Sequence, residues 1–587
     1  MNLKLLNKKS IWLIIIFAIT FTIAIRINEV KASASNIYYV STNGNDSNQG
    51  TISSPFRTIK KGMMNLRQGD TLFIRGGIYS NERIDVVNMK GSTEKWYTVK
   101  NYPGEIATLD GKGVADVAMK FIGSSYWHIE GLEITNYRGA GIWLNGQSAA
   151  NSNFQLIGLK IHNFNDPVIS AYGTEGILGD GDSNFCTVKN CEIYDVGLLN
   201  NLKKDHGIYI GYGIKNWIID ANRIHDNSGA GIHMYGEPDG GSYCTVTNNL
   251  VYNNHNYGIV LASKATETNV YNNTLYNNSE CDVYMRDGAS GNTFKNNIFG
   301  SFGSNFNIEI MTGDVVNNSF DYNCYWKTDG QVIYRYTSGL NLNQWKSYGV
   351  ESHSQYGDPK FINASGGNFR VYGNSRTTGM GIDDGKVPCY DYEGNLREAP
   401  THEIGAYDYN ILYDEFDNKT SKNSSNPVKY TIFGGGWRTM VDGSYVMEQY
   451  GEANKVMKAI SGKATWDNYS VEAKVKMLTS GYGSDAGLIA RCSDDGEVYY
   501  LVRLETSGIT IYKVEHGNWT NLGYTTGNYS KDNWYNMGII CNGSMISASI
   551  NGRIVKNVID YSITKGKAGM YTSYYARWDN FKVSPRN

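Results

Sequence analysis

Apolar and polar residues alternate along most of this chain in short runs, and the runs come back. Eight six-residue segments end on an apolar residue: IEGLEI (129–134), LIGLKI (156–161), VKNCEI (188–193), IDANRI (219–224), VTNNLV (246–251), VYNNTL (270–275), FKNNIF (294–299) and VVNNSF (315–320). Their last residues are Ile134, Ile161, Ile193, Ile224, Val251, Leu275, Phe299 and Phe320, spaced 21 to 32 residues apart. Between them lies a second recurring element: GIWLN from Gly141, GILGD from Gly176, GIYIG from Gly207, GIHMY from Gly231, GIVLA from Gly258, DVYMR from Asp282 and NIEIM from Asn307. Alternation with period two is that of a half-buried strand. A repeat of about 20–50 residues made of short strands predicts a solenoid.

The polar positions fit the same picture. Asn222, Asn249, Asn273 and Asn297 occupy one slot of successive repeats. A stacked Asn at a turn bonds the backbone of its neighbours and tolerates a bent conformation. These four are expected to form a ladder that fixes the register of the coils. Beyond residue 410 the repeat stops but the alternation continues, in WDNYSVEAKVKM, DAGLIARCSDDGEVYYLVRL, WYNMGIICNGSMISASINGRIV and AGMYTSYYARWDNFKV. Strands with polar turns and no helices between them predict an antiparallel β-sandwich over 411–587. The fold class is all-β: a solenoid over 35–410, then a sandwich.

The N-terminus departs from both patterns. Lys4, Lys8 and Lys9 precede an apolar stretch, IWLIIIFAITFTIAI (11–25), and ASA (32–34) is a small-x-small site. This is the layout of a signal peptide, 1–34, cleaved near Ala34, which implies a secreted protein with no membrane attachment after cleavage. A net charge of −2 and the lack of any basic tract argue against a nucleic-acid partner. The chain carries 45 Tyr, 12 Trp and 66 Gly against 9 Pro. Such aromatic, polar surfaces suit sugars, whose CH faces stack on rings. The eight Cys include no CxxC pair for zinc; Cys186, Cys191, Cys244, Cys281 and Cys324 fall at repeat positions and are expected to fill the core.

The stretch IYYVSTNGNDSNQGTISSPFRTIKKGMMNLRQGDTLFIRGGIYSNE (37–82), together with the repeats, resembles the right-handed parallel β-helix proteins of the pectate-lyase-like superfamily. In that likeness FRTIKKGMMNLRQGD (56–70) is an amphipathic helix capping the first coil, and 357–409 is similar to the tail that closes such helices. The sandwich resembles a concanavalin A-like, laminin-G-like jelly roll, which implies a carbohydrate-binding module. Trp437, Trp519, Tyr499 and Arg503 are its candidate sugar contacts, and Asp579 is a structural position on its final strand.

The resemblance places substrate along the sheet of GIxLx strands. Every second residue there points outward, which yields Trp143, Asn145, Asp180, Tyr209, His233, Tyr235, Val260, Ala262, Tyr284, Arg286 and Glu309. Lys264 lies just past one strand and Arg286 ends the next. A uronate polymer needs a cation for its carboxylate, a base for the C5 proton and an acid for the leaving oxygen. The spacing SKATETNVYNNT…YMRDG is similar to the Lys and Arg motifs of chondroitinase B and alginate lyases, which implies Lys264 as base and Arg286 as acid. The calcium-binding acids that precede that Lys in those enzymes have no counterpart in NYGIVLA. The family-9 pectate lyase pattern fits less well, its Lys lying within the strand.

His233 is a further acid/base candidate, and Trp143, Tyr209, Tyr235, Tyr284 and Glu309 are candidate substrate contacts. Asp180, Asp182 and Asp205 on adjacent turns are candidates for a Ca²⁺ site or for the carboxylate pair of a glycoside hydrolase. His206 is placed near His233 across one coil, and His225 and His255 in turns. The reading is a monomeric secreted polysaccharide lyase acting by β-elimination on an acidic glycan. A glycoside hydrolase and a non-catalytic glycan-binding or adhesive protein are its alternatives.

Overall fold

The computed structural model describes residues 35–585 apart from 165–172, 200–203, 238–241, 302–305, 312–316, 328–333, 336–338, 372–374, 395–396, 398–401, 409–411, 415, 417–429, 452, 465 and 479–483. The signal-peptide segment 1–34 lies outside the described residues, as does the expected 410/411 domain boundary.

The repeats wind. Strands stack in parallel into three columns, one strand of each per coil. The first column runs from Ile84–Val87 and Val117–Ile122 through His206–Ile210, Ile232–Tyr235, Tyr257–Ala262 and Cys281–Met285 to Phe306–Ile310. The second starts at Ile37–Val40 and Thr71–Ile74 and runs through Asn269–Tyr271 and Thr293–Lys295 to Ser319–Asp321. Two long strands, Ala140–Ile157 and Glu175–Lys189, pass through both and join them into one 20-stranded sheet. The third column is an 11-stranded sheet from Gly77–Ser80 to Gln355–Tyr356.

Register is kept coil after coil. Ile142, Ile177, Ile208, Ile232, Ile259, Val283 and Ile308 stand one above the next, all buried. Each such side chain contributes about 1.5–3 kcal/mol by leaving water. Across the interior, Ile134, Ile161, Ile193, Ile224, Val251, Leu275 and Phe299 form the matching row.

The last expected repeat is displaced. Phe299 pairs with Tyr325, whereas Phe320 pairs with Phe294 in the second column. The column turns share one polar chemistry, so the Asn pair of VVNNSF looks like the ladder slot in sequence. Asn318 in fact stacks on Asn292, and Asn323 completes the main ladder.

That ladder is the expected one, extended. Asn222, Asn249, Asn273, Asn297 and Asn323 are all buried. Each side-chain oxygen accepts from the amide of the residue below; Asn273 Oδ1, for example, takes Asn249 N and Nδ2, both at 2.9 Å. Each Nδ2 also donates to a backbone carbonyl, Asn273 to Val246 at 2.8 Å. The bent conformation belongs to the preceding residues, Asn248, Asn272 and Asn296, whose φ is 56° in each case. A second ladder, Asn227–Asn254–Asn278, climbs another corner. The first ladder ends on Ser354 and the buried Glu351, which also accepts from Tyr325 Oη and Ser354 Oγ.

Both ends are closed. Helix Ile59–Met64, N-capped by Thr58, buries Ile59 and Met63 in the first coil. At the other end, helix Leu342–Lys346 packs Trp345 edge-on to Phe320. The tail expected to close the helix instead runs back along its flank. Asn248 Nδ2 donates to Tyr390 O, Asn272 Nδ2 to Glu403 O and Asn296 Nδ2 to Ile382 O. The five repeat cysteines are buried and unpaired with one another, as expected.

Two antiparallel sheets follow, a seven-stranded one ordered from Thr431–Phe433 to Asn518–Thr526 and an eight-stranded one that includes Leu412–Asp414. A common core between them includes Val471, Leu488, Tyr500, Ile539 and Trp578. Trp437 packs on Trp578 and Tyr499 is buried beneath Lys458. Trp519 is 38% exposed, and Arg503 bridges Asp485 and Glu505. Asp579 is buried and accepts from Ser444 Oγ.

Candidate functional site on the first column

The outward face of the first column carries the predicted Trp143, Tyr209, His233, Val260, Tyr284 and Glu309 in register, with Leu178, which was not expected, between the first two. A second outward row stands beside it, formed by the residue before each Gly of the repeat. A Cβ on Gly231 would meet Val251 Cγ1 at 2.6 Å, so this position faces the interior, as Ile232 does. Two successive inward residues turn the one before them outward. Glu175 pairs with His206, and Tyr257 with Cys281. Tyr257 stacks on Tyr284 at 4.5 Å and 7°. Strict period-two counting misses this row.

The trough is not uniformly open. Val260 and Ala262, expected to line it, are buried beneath Tyr235, Tyr257 and Tyr284. Asn145 and Asp180 are buried as well. Aromatic rings thus form much of the accessible wall.

His206 and His233 are the centre of this face. Both are buried, with rings edge to face at 4.6 Å and His206 Nε2 3.0 Å from His233 Nδ1. Tyr209 lies against both, stacked on His206 and edge-on to His233 at 5.0 Å. Burial lowers the pKa of His206 to about 3. Burial also takes His233 well below the ordinary histidine value, with help from His206 and the Arg286 cation.

Lys264 and Arg286 sit on adjacent coils at the C-terminal lip of the trough. The amide of Lys264 donates to Asp287 O, and that of Arg286 to Leu261 O. Each side chain rests on an acid. Lys264 Nζ is 3.7 Å from Glu237 Oε1, and its side chain is 55% exposed; Arg286 pairs with the neighbouring Asp287. Tyr235 Oη donates to the same Glu237 at 3.0 Å, so Tyr235, Glu237 and Lys264 form one chain.

The N-terminal end of the trough holds a second group. Lys120 Nζ lies 3.6 Å from the Trp143 ring centroid, and Trp143 Nε1 donates to Asp180 Oδ2 at 3.1 Å. Desolvation, followed by Arg83, lowers the Lys120 pKa. Desolvation raises that of Asp180. Glu175, fully enclosed and facing Asp205 and Asp180, is raised well above the carboxylate range.

The three aspartates expected to hold calcium do not converge as ligands. Asp205 accepts from Thr174 N through Oδ1 and from Leu198 N through Oδ2, at 2.9 and 2.8 Å. Asp182 is exposed and accepts from Asn184 Nδ2. Calcium takes about six to eight oxygen ligands, and among the described residues no three His, Cys, Asp or Glu side chains converge to hold a metal. The residues do not fit such a site. His225, expected in a turn, instead ends the strand Arg223–His225 and is stacked between Tyr194 and Tyr252 of the neighbouring coils.

Comparison with known proteins agrees with the fold. Residues 38–197 match the family model "Pel9A-like, right handed beta helix region", and 175–365 match "Right handed beta helix region". The solenoid is a parallel β-helix, similar over these spans to the right-handed pectate-lyase-like ones. The first of these matches ends before Lys264 and Arg286. Pectate lyase PEL9 of Emericella nidulans is 28% identical over 142 residues, 22% of this chain and 32% of that one. The uncharacterized protein YwoF of Bacillus subtilis (strain 168) is 25% identical over 240 residues, 38% of this chain and 43% of its own. The chain therefore spans less than half the length of either relative. The crystal structure of pectate lyase Pel9A aligns with 64% of this chain and 97% of its own, at 15% identity and a TM-score of 0.49.

Proposed function

We propose that this is a secreted polysaccharide lyase that cleaves a uronate-containing glycan by β-elimination in the trough of the β-helix, acting as a monomer. The observation that carries the reading is the pairing of two cations, Lys264 and Arg286, on adjacent coils beside an aromatic wall. A name shared with pectate lyases supports it at the level of the β-helix.

The chemistry follows from those groups. The sugar carboxylate displaces Asp287 from Arg286, and the guanidinium spreads its charge, acidifying the C5–H bond. Lys264, freed from Glu237 and in its neutral form, takes the C5 proton. The C4–O bond breaks as the C4=C5 double bond forms, and the leaving oxygen takes a proton from the Arg286 guanidinium, which regains one from water. Tyr209, Tyr235, Tyr284 and Trp143 offer ring faces to flanking sugars, and Glu309 borders the far end. The sandwich is the targeting module, with Trp519 as its exposed contact. Export rests on the basic and apolar pattern of residues 1–34.

The test is a screen of pectate, alginate, glycosaminoglycans and neutral xylan. A lyase yields an unsaturated product absorbing near the ultraviolet edge. New reducing ends without that absorbance would make the protein a hydrolase, and binding without cleavage would make it an adhesive or binding protein.

A further inference from the structure

One atom near the centre of the trough has an unambiguous role. The backbone amide of Ala230 can only donate, and it points at His206 Nδ1 at 3.1 Å. That nitrogen must therefore present a lone pair, and the proton of His206 sits on Nε2. His206 Nε2 lies 3.0 Å from His233 Nδ1, so His206 donates and His233 Nδ1 accepts. The proton of His233 is then on its own Nε2.

Protonating either ring breaks this order. A His206 imidazolium would set an N–H against the Ala230 amide, and a charged His233 would set one N–H against another. Burial acts in the same direction, holding both rings neutral, and at His233 the His206 ring and the Arg286 cation add to it. Every donor thus points one way, from the backbone through two rings to His233 Nε2. The last one, His233 Nε2–H, is enclosed on a side chain only 9% exposed and reaches no acceptor among the described residues. A buried donor left unmatched is costly and rare. The Arg286 cation, whose field reaches this ring, says what would match it: an anionic oxygen, now represented at the guanidinium by Asp287.

We propose that His206 is a positioning residue that locks His233 as an Nε2–H donor, and that this donor and Arg286 together form a carboxylate subsite for one uronate residue. The proposal rests on the polysaccharide reading given above for its ligand, but not for its tautomer.

The experiment uses the full chain labelled with ¹⁵N-histidine, read by long-range ¹H–¹⁵N correlation near neutral pH, with His233→Gln identifying the signal. The expected result is a neutral His233 bearing its proton on Nε2, whose resonance shifts on adding a galacturonate trimer. His206→Phe keeps an aromatic ring but removes both hydrogen bonds. It should leave His233 in mixed tautomers and weaken trimer binding roughly tenfold. His206→Gln, whose amide both accepts and donates, should restore affinity to within about threefold. A wild-type His233 found charged or with its proton on Nδ1 overturns the positioning role whatever the substrate. So does a folded His206→Phe protein with tautomer and affinity unchanged. With the tautomer as stated, failure of galacturonate, mannuronate, guluronate and glucuronate trimers alike to shift Nε2 overturns the carboxylate subsite. A shift without turnover supports the subsite and overturns the lyase reading alone.

Discussion

Two buried polar rows climb the same stack of coils, and they end differently. The Asn222–Asn323 ladder repeats one bond pattern at each step, and each of its amides donates to a side chain above or a carbonyl nearby. It closes on Ser354 and Glu351. The His206–His233 pair is two rungs long, begins on a backbone amide and stops at a buried donor unmatched among the described residues. Both are enclosed, so both had to overcome the same desolvation. A closed row gives register and nothing else; an open one leaves a group that only a ligand can match.

The contrast can be broken most sharply at the lip of the trough. Lys264→Ala should cut turnover about 10²–10⁴-fold on a confirmed substrate, as loss of a catalytic base does, with stability moving by about 0.5 kcal/mol or less. Near-normal turnover by that variant would remove Lys264 from the chemistry. Asn273→Ala should do the reverse. It strips partners from Asn249 N and Nδ2 and from Val246 O, at about 1–3 kcal/mol for each group left bare. A loss on the order of 3 kcal/mol in a denaturant titration, with trimer affinity unchanged, is expected; an unshifted midpoint would mean the ladder does not set register.

Acid and base should separate the two rows. The His206 pKa is depressed to about 3 in the fold, so the stability it contributes is present above the ordinary histidine value and is lost as pH falls from there towards 3. Glu351, at the end of the ladder, is pushed up to about 7 by burial. Its contribution is full below the ordinary carboxylate range and is lost as pH rises through 7. Glu351→Gln should therefore gain about 1–3 kcal/mol over the wild type at pH 9 and little at pH 5, measured as urea midpoints at both. A gain at pH 5 alone would reverse the sign and refute the assignment. The smallest expected effect is that of a chelator. Excess EDTA should leave melting temperature and turnover unchanged, because both Asp205 oxygens are already held by backbone amides; a fall in either would restore a calcium site.

How much of this was visible in the sequence depended on repetition. The inward Ile row, the Asn ladder and the capping helix recur or carry periodic patterns, and all stand where the pattern put them. Phe320 was misplaced because two corners of the coil use the same Asn chemistry. In the trough, Trp143, Tyr209, His233, Tyr284 and Glu309 followed from alternation. Glu175 and Tyr257 did not, since the Gly–Ile pair turns two residues inward in succession. Their signal was present as the residue before each repeat Gly. Glu237, which holds Lys264, lies past the end of a strand, where no period applies. The fate of Asp205 could not be read at all, because its partners, Thr174 and Leu198, are fixed only once the coils are stacked.

The strict register of the outward row has a consequence for how such a protein changes over generations. Position along the trough is counted in whole coils, each advancing about 4.8 Å, and each coil touches only its neighbours. Lengthening a corner loop alters one local contour and leaves the count intact. Gaining or losing an entire coil slides everything beyond it by one step, while the groups on either side keep their own geometry. The distance between the Trp143 end and the Arg286 lip is therefore a digital quantity, and the molecule is a ruler whose graduations are its own backbone turns.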